Sequence, residues 1–177
     1  MRICLISPSF YPAMFYGGPI FSTWDLSRYL ARKGYKIYVS TTNANGVNRL
    51  DDVPYNLYKN IYENIFVKYY NEQIIGYFSL SFLVGIFRDI KKSDLIYIQY
   101  IFTYTSIIAL FYSFLLRKKV VLHPRGSLSS WGMLYKRRWL KLFCINFFVR
   151  PFIRDVIWQS SSSLEAKDIT SYFNSAC

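Results

Sequence analysis

The chain has 177 residues, 53% of them apolar, and a formal net charge of +12. That length supports one domain with a proper core, and that apolar content excludes a disordered chain. The charge calls for an anionic partner such as phosphate, nucleic acid or acidic lipid headgroups.

An apolar strand, Ile3 to Ile6, opens the chain, and a proline-bearing loop from Ser7 leads to Gly17 and Gly18. A helix from about Pro19 to Lys33 follows, stopped by Gly34. Glycine lacks a Cβ and a helix start presents free N–H groups, so a glycine pair here lets backbone approach a phosphate. A turn that needs glycine for its own packing is the alternative. Helical spacing puts Thr23, Leu26, Ser27, Leu30 and Ala31 on one face, with Arg28, Arg32 and Lys33 on the other. Small residues on the inner face allow close packing on a sheet.

Ile37 to Ser40 reads as the second strand, and Phe66 to Tyr69, after a polar loop, as the third. A helix from about Tyr77 to Lys91 precedes the fourth strand, Leu95 to Ile98. Thr103 to Leu116 is helical, Lys119 to Leu122 is a fifth strand, Trp131 to Arg150 a long helix, and Val156 to Trp158 a sixth strand. Short apolar strands alternating with helices predict an α/β fold, a mostly parallel sheet with helices on both faces.

The uncharged run from Leu95 to Leu116 is long enough to span a bilayer. It holds Gln99, several tyrosines, threonines and serines, and it divides naturally into a strand and a helix, which is the reading preferred. Ile74 to Phe87 is shorter and reads as a core or membrane-surface helix. Cys4, Cys144 and Cys177 show no CxxC spacing; Cys4 in an apolar strand and Cys144 in an apolar helix read as buried thiols, and a reducing cytoplasm fits. The apolar run after Arg2 is too short for a secretory signal, and prolines break it by Pro8.

A dinucleotide site would show G-x-G-x-x-G after the first strand and an acid ending the second. Here the glycines are adjacent and the second strand ends in Ser40, Thr41 and Thr42, so NAD or FAD is not expected. No G-x-x-x-x-G-K-[ST] run is present. His123 is the only histidine, which leaves a multi-histidine metal site or a Ser-His-Asp triad hard to build.

Four ordered stretches carry a resemblance. MRICLISPSFYP (residues 1–12), with Gly17-Gly18 and LSRYLARKGYKIYV (26–39), is the first. DLIYIQ (94–99) is the second and VVLHPRGSLSSWG (120–132) the third, the latter with a P-R-G-x-L pattern followed by a basic helix. WQSSSSLE (158–165) is similar to a strand leading into a T-S-x-x-E helix start. Together they resemble the N-terminal half of family 4 glycosyltransferases, enzymes of the GT-B fold with two Rossmann-like domains facing across a cleft.

The resemblance implies transfer of a sugar from a nucleotide-sugar donor to a glycan or lipid-linked glycan acceptor in cell-surface polysaccharide synthesis, with retention. Complete members of the family continue into a C-terminal domain that holds the nucleotide-sugar and carries a Glu-x7-Glu motif. The expectation for residues 1–177 is therefore a single acceptor-side domain without that donor domain, or a non-catalytic module that needs a separate donor-domain partner. Cofactors are not expected, and metal is unnecessary where side chains and helix N-termini neutralise the diphosphate.

By the same resemblance Gly17 and Gly18 approach the donor's diphosphate or transferred sugar. Arg125 and Gly126 sit just past a strand's C-terminal end, where ligands bind in open α/β sheets. Arg125 is expected either to hold phosphate charge or to form a structural salt bridge. Ser127 offers a hydroxyl at the same mouth, and Gln99 and Tyr100 end the fourth strand with groups that either bind sugar or satisfy the mouth itself. His123 reads as a core residue, and Glu165 as a cap of its own helix.

No acidic residue falls between Asp94 and Asp155, whereas Arg117, Lys118, Lys119, Arg125, Lys136, Arg137, Arg138, Lys141, Arg150 and Arg154 do. Tyr135 to Phe143, continuing to Phe147, Phe148 and Arg150, reads as an amphipathic helix mixing Trp and Phe with cations. That composition suits an anionic membrane surface, and equally an ordinary sheet-packing helix with a solvated basic face. The expected location is cytoplasmic, peripheral at the inner face of the membrane. No RNA-binding motif accompanies the charge, so no nucleic acid is expected.

Overall fold

The computed structural model describes residues 1–74, 76–134, 138–153 and 156–173. Its strands in chain order are β1 (Arg2–Ile6), β2 (Lys36–Thr42), β3 (Ala44–Asn45), β4 (Asn48–Arg49), β5 (Lys59–Tyr62), β6 (Ile65–Tyr70), β7 (Leu95–Gln99), β8 (Lys119–His123) and β9 (Val156–Trp158). The helices are α1 (Gly18–Arg32), α2 (Leu80–Lys91), α3 (Tyr104–Leu115), α4 (Ser130–Leu134), α5 (Arg138–Cys144) and α6 (Ser163–Phe173).

Seven strands form one sheet in the order β5-β6-β2-β1-β7-β8-β9. All neighbours run parallel except β5, which pairs antiparallel with β6 at one edge. Helices cover both faces, so central strands are apolar on both sides and alternate between two cores. Cys4, Ile6, Ile96, Ile98 and Leu122 face a core built with Phe82, Ile86 and Ile90 of α2 and Ala109 and Leu110 of α3. Ile3, Leu5, Ile37, Val39, Ile65 and Val67 face the other core, closed by Trp24, Leu26, Leu30 and Ala31 of α1. Thr23, Ser27 and Ala31 on the inner face of α1 are buried, as the spacing predicts.

The predicted strands and the helices α1, α2 and α3 lie where the sequence places them, within a few residues. The run from Leu95 divides into β7 and α3, and among the described residues no helix is long and apolar enough to cross a membrane. The predicted helix beginning near Tyr77 starts only at Leu80. Ahead of it Tyr77 has φ 69°, Ile74 bridges Phe78, and Ser79 caps the helix by accepting the Phe82 N–H at 3.2 Å. The hairpin β3–β4 and the edge strand β5 were not foreseen; Lys59 and Asn60 break the apolar alternation that marks a strand.

Of the predicted long helix from Trp131 to Arg150, residues 135–137 lie outside the described ones, and α4 and α5 stand on either side of them. Lys141 Nζ donates to the Gly132 carbonyl, nine residues back. α5 then passes into a π-helical turn, Ile145–Val149, and a 3-10 turn, Arg150–Phe152. The π turn turns Ile145 and Val149 into the core while Phe147 and Phe148 stay exposed.

One polar cluster is buried on the α2 side of the sheet. Asp89 accepts from Lys68 Nζ at 2.5 Å, Ser40 Oγ at 2.9 Å and Tyr70 OH at 2.6 Å. Tyr58 OH and Ser40 Oγ are 2.8 Å apart. Both charged groups are almost fully buried, so each compensates the other's lost hydration.

Candidate functional site

Strand succession reverses beside β1: β2 and β6 lie on one side, β7, β8 and β9 on the other. Loops leaving the C-terminal ends of β1 and β7 therefore diverge, and such a switch point is where open α/β sheets bind ligands. Four segments meet there: the loop from Ser7 to Gly17, the turn at Tyr100, the turn from Pro124 to Ser127, and the serine run before α6.

Gly17 precedes α1 with φ 63° and ψ −130°, a conformation glycine adopts without strain. A Cβ placed on Gly17 or Gly18 would meet nothing within 4 Å, so the pair faces open space and is not forced by packing. α2, α3 and α6 begin at hydroxyl caps, Ser79, Thr103 and Ser162. α1 has no side-chain cap and no acid in its first turn, which leaves its start short of acceptors.

Arg125 crosses to this helix. Its Nη1 donates to Ser22 Oγ at 2.8 Å and its Nη2 to Thr23 Oγ1 at 3.2 Å. Thr23 Oγ1 shares its own proton between the Pro19 carbonyl, 2.7 Å away, and Gln99 Oε1, 2.9 Å away. No carboxylate pairs with Arg125 among the described residues, and its Nε is buried without a partner. Arg125 has φ 52° and Tyr100 φ 66°. Two non-glycine residues in the left-handed region beside a cleft store strain of the kind found at binding sites.

The other predicted site residues take distinct places. Gln99 is fully buried beneath α1, bonded to Thr23, with its Nε2 unpartnered. The Tyr100 N–H donates to the His123 carbonyl at 2.9 Å, and burial raises its phenol's pKa against the pull of Arg125. Tyr16 and Tyr77 pack with ring centres 6.0 Å apart. Gly126, with φ 74°, gives its N–H to Glu165 Oε1 at 2.5 Å, and Ser127 Oγ donates to the Pro124 carbonyl at 2.6 Å. Those two residues build the turn that aims Arg125.

Glu165 fastens α6 to that turn. Besides Gly126 it accepts from the Ser161 N–H at 2.6 Å and the Ser161 hydroxyl at 2.7 Å, and its own N–H donates to Ser162 Oγ. This is a capping box shifted by one residue. Burial works against its charge, but the bonds from Ser161 and Gly126 hold its pKa below the ordinary carboxylate value. His123 is buried, and burial together with Arg125 lowers its pKa, so the imidazole is neutral at pH 7. Its Nδ1 lies 3.2 Å from Tyr97 OH and its Nε2 3.6 Å from Glu165 Oε2; with a neutral ring this last approach is not an ion pair. Burial pushes the Tyr97 phenol up to about 12, so it stays protonated beside the imidazole.

Sequence reading missed Ser22, Thr23 and Tyr97 as site members. The signal for Thr23 was present: a hydroxyl on the sheet-facing side of α1 needs a polar partner, and Gln99 ends a strand beneath it. Among the described residues no group of three or more His, Cys, Asp or Glu is placed to hold a metal ion.

The strand order and the loop-borne polar cluster define a Rossmann-like, doubly wound α/β domain. Among solved structures the chain is similar to Anabaena Alr3699/HepE in complex with UDP-glucose (TM-score 0.58), with UDP (0.59) and with UDP and glucose (0.57), each at 16% identity. These superpositions cover 97% of this chain but only 40% to 41% of the other, so it spans about two fifths of that protein. At this identity the likeness is one of fold. No family model matches the chain, and no curated protein matches it in sequence.

Proposed function

We propose that this chain is a glycosyltransferase domain of GT-B type, the acceptor-side wall of a cleft in which a sugar passes from a nucleotide-sugar to a glycan or lipid-linked glycan, with retention. The observation that carries this is Arg125, a guanidinium held at the switch point by hydroxyls alone, beside the uncapped start of α1. Departure of a nucleoside diphosphate concentrates negative charge on the leaving oxygens. A fixed cation and a helix N-terminus stabilise that charge without reorganising. The likeness of fold to a protein bound to UDP-glucose supports the same ligand class. Gly17 and Gly18 leave room for the diphosphate or sugar, and Tyr100 and Ser127 border it.

A second domain, in the same polypeptide or a separate chain, holds the nucleotide. The test is sugar transfer from labelled UDP-glucose and other nucleotide-sugars to lipid-linked acceptors, by these 177 residues with and without a donor domain. Transfer only with the donor domain, reduced at least about tenfold by Arg125→Ala, is expected for a lost charge-assisted contact. Turnover by the 177 residues alone would overturn the two-domain reading, and absence of transfer in every combination would leave a non-catalytic module.

That second reading, a membrane-docking module, draws on the α4–α5 surface. Trp131, Leu134, Trp139 and Phe147 are exposed beside Arg138 and Lys141, and an apolar cavity of about 400 Å³ opens among Phe102, Ile107, Leu140, Phe143 and Phe148. Aromatics among cations suit an anionic membrane at its cytoplasmic face, near a lipid-linked acceptor. Flotation with phosphatidylglycerol vesicles, lost in Trp139→Ser/Phe147→Ser, tests this contact apart from catalysis.

A further inference from the structure

On the α2 side of the sheet, away from the switch point, a cavity of about 320 Å³ is lined by Arg2, Tyr38, Tyr58, Lys68, Arg88 and Lys92 among others. It shares no residue with the Arg125 cluster. Its wall carries four cations, Arg2, Lys68, Arg88 and Lys92, against one acid, Asp89, and the charges differ in how they are used. Lys68 is committed to Asp89, and Asp89 is saturated by Lys68, Ser40 and Tyr70. Asp94, the other acid nearby, accepts the backbone N–H of Arg2 at 2.7 Å.

Arg2, Arg88 and Lys92 have no carboxylate partner among the described residues. The Arg2 guanidinium lies over the Tyr38 ring, its Cζ 3.4 Å from the ring centre, and its Nε is buried without a hydrogen-bond partner. Tyr38 is itself fixed between Phe66, stacked at 4.8 Å, and Tyr58, edge-on at 5.1 Å. A guanidinium clamped in one orientation keeps its remaining donors aimed, which a free surface arginine does not. Arg88 and Lys92 stand one turn apart at the end of α2. Their charges suit that helix end, but dipole compensation explains neither the cavity nor the clamped Arg2 that faces it.

We propose that this cavity binds a phosphomonoester. The class follows from its size, at the lower end for small-molecule sites, and from three uncommitted cations converging on it. Arginine offers a planar pair of donors to phosphate oxygens, and lysine adds a point charge. The proposal stands independently of the glycosyltransferase reading.

The test is isothermal titration of the 177-residue chain with inorganic phosphate and with glucose 1-phosphate at fixed ionic strength. It is run beside flotation on phosphatidylcholine vesicles with and without phosphatidic acid. Arg88→Gln/Lys92→Gln alters exposed side chains and should leave the fold intact, checked by its melting temperature. Lys33→Gln/Lys36→Gln, equal in charge and outside the cavity, is the control. Saturable phosphate binding weakened at least about tenfold by the first pair and unchanged by the second is expected, since two charge-assisted contacts are lost. Soluble binding alone assigns a free phosphomonoester; phosphatidic acid binding that phosphate displaces assigns a lipid headgroup. No saturable binding to either probe, or equal weakening by both pairs, would overturn the site.

Discussion

The two polar clusters flanking the sheet differ in completeness. Around Asp89 the count closes: one buried carboxylate, one buried ammonium at 2.5 Å, and two hydroxyl donors. Around Arg125 it does not close: the guanidinium has two hydroxyl acceptors, no carboxylate among the described residues, a buried Nε without a partner, and a strained backbone. A saturated cluster holds a fold together. An unsaturated one at a strand's C-terminal end is left for something else to complete.

Substitutions at five positions break or sharpen that contrast. Asp89→Ala strands a buried ammonium and should cost about 3–5 kcal/mol, read as a fall in the denaturation midpoint. Glu165→Ala removes the carboxylate that ties α6 to the Gly126 turn and should cost about 2–3 kcal/mol. Its pH signature has a definite sign. The folded pKa is depressed, so the stabilisation is present above the unfolded value and lost as pH falls through the folded one. The His123 pKa is also lowered: below its unfolded value the denatured chain takes up a proton that the native state refuses. Both effects weaken the fold toward acid, and Glu165→Gln should flatten the lower part of the stability–pH curve.

Gly17→Ala forces a side chain into a backbone glycine favours and should cost about 1–2 kcal/mol, whereas Gly18→Ala, with open space and ordinary helical geometry, should leave stability unchanged. Arg125→Gly relieves a left-handed residue and should change stability by less than about 1 kcal/mol in either direction, while abolishing the sugar transfer proposed above. A loss of stability as large as that of Asp89→Ala would show Arg125 to be structural, and the contrast would fail.

The sequence made the six parallel strands and α1 legible because each has a buried periodicity of its own. It named Arg125 as well, from a strand end followed by Pro124, Arg125 and Gly126. Asp89 and Lys68 stayed hidden: on α2 an acid between Arg88 and Ile90 looks like an ordinary helix surface, and only the sheet register brings Ser40, Lys68 and Tyr70 to it. The contact between Lys141 and Gly132 was illegible for a similar reason, since nothing in the local pattern pairs a lysine with a carbonyl nine residues back.

The position of β1 bears on how the chain is made. β1, made before the other strands of this sheet, stands at the sheet's centre. One edge is covered soon by β2, but the other waits for β7, and the Arg2 N–H meets Asp94 across 92 residues of sequence. Through that interval an apolar strand, Ile3 to Ile6, presents an unpaired edge to the cell. Slowing synthesis between residues 42 and 95 should therefore raise the yield of aggregated chain more than an equal pause after residue 123, where the β7–β8 ladder is complete.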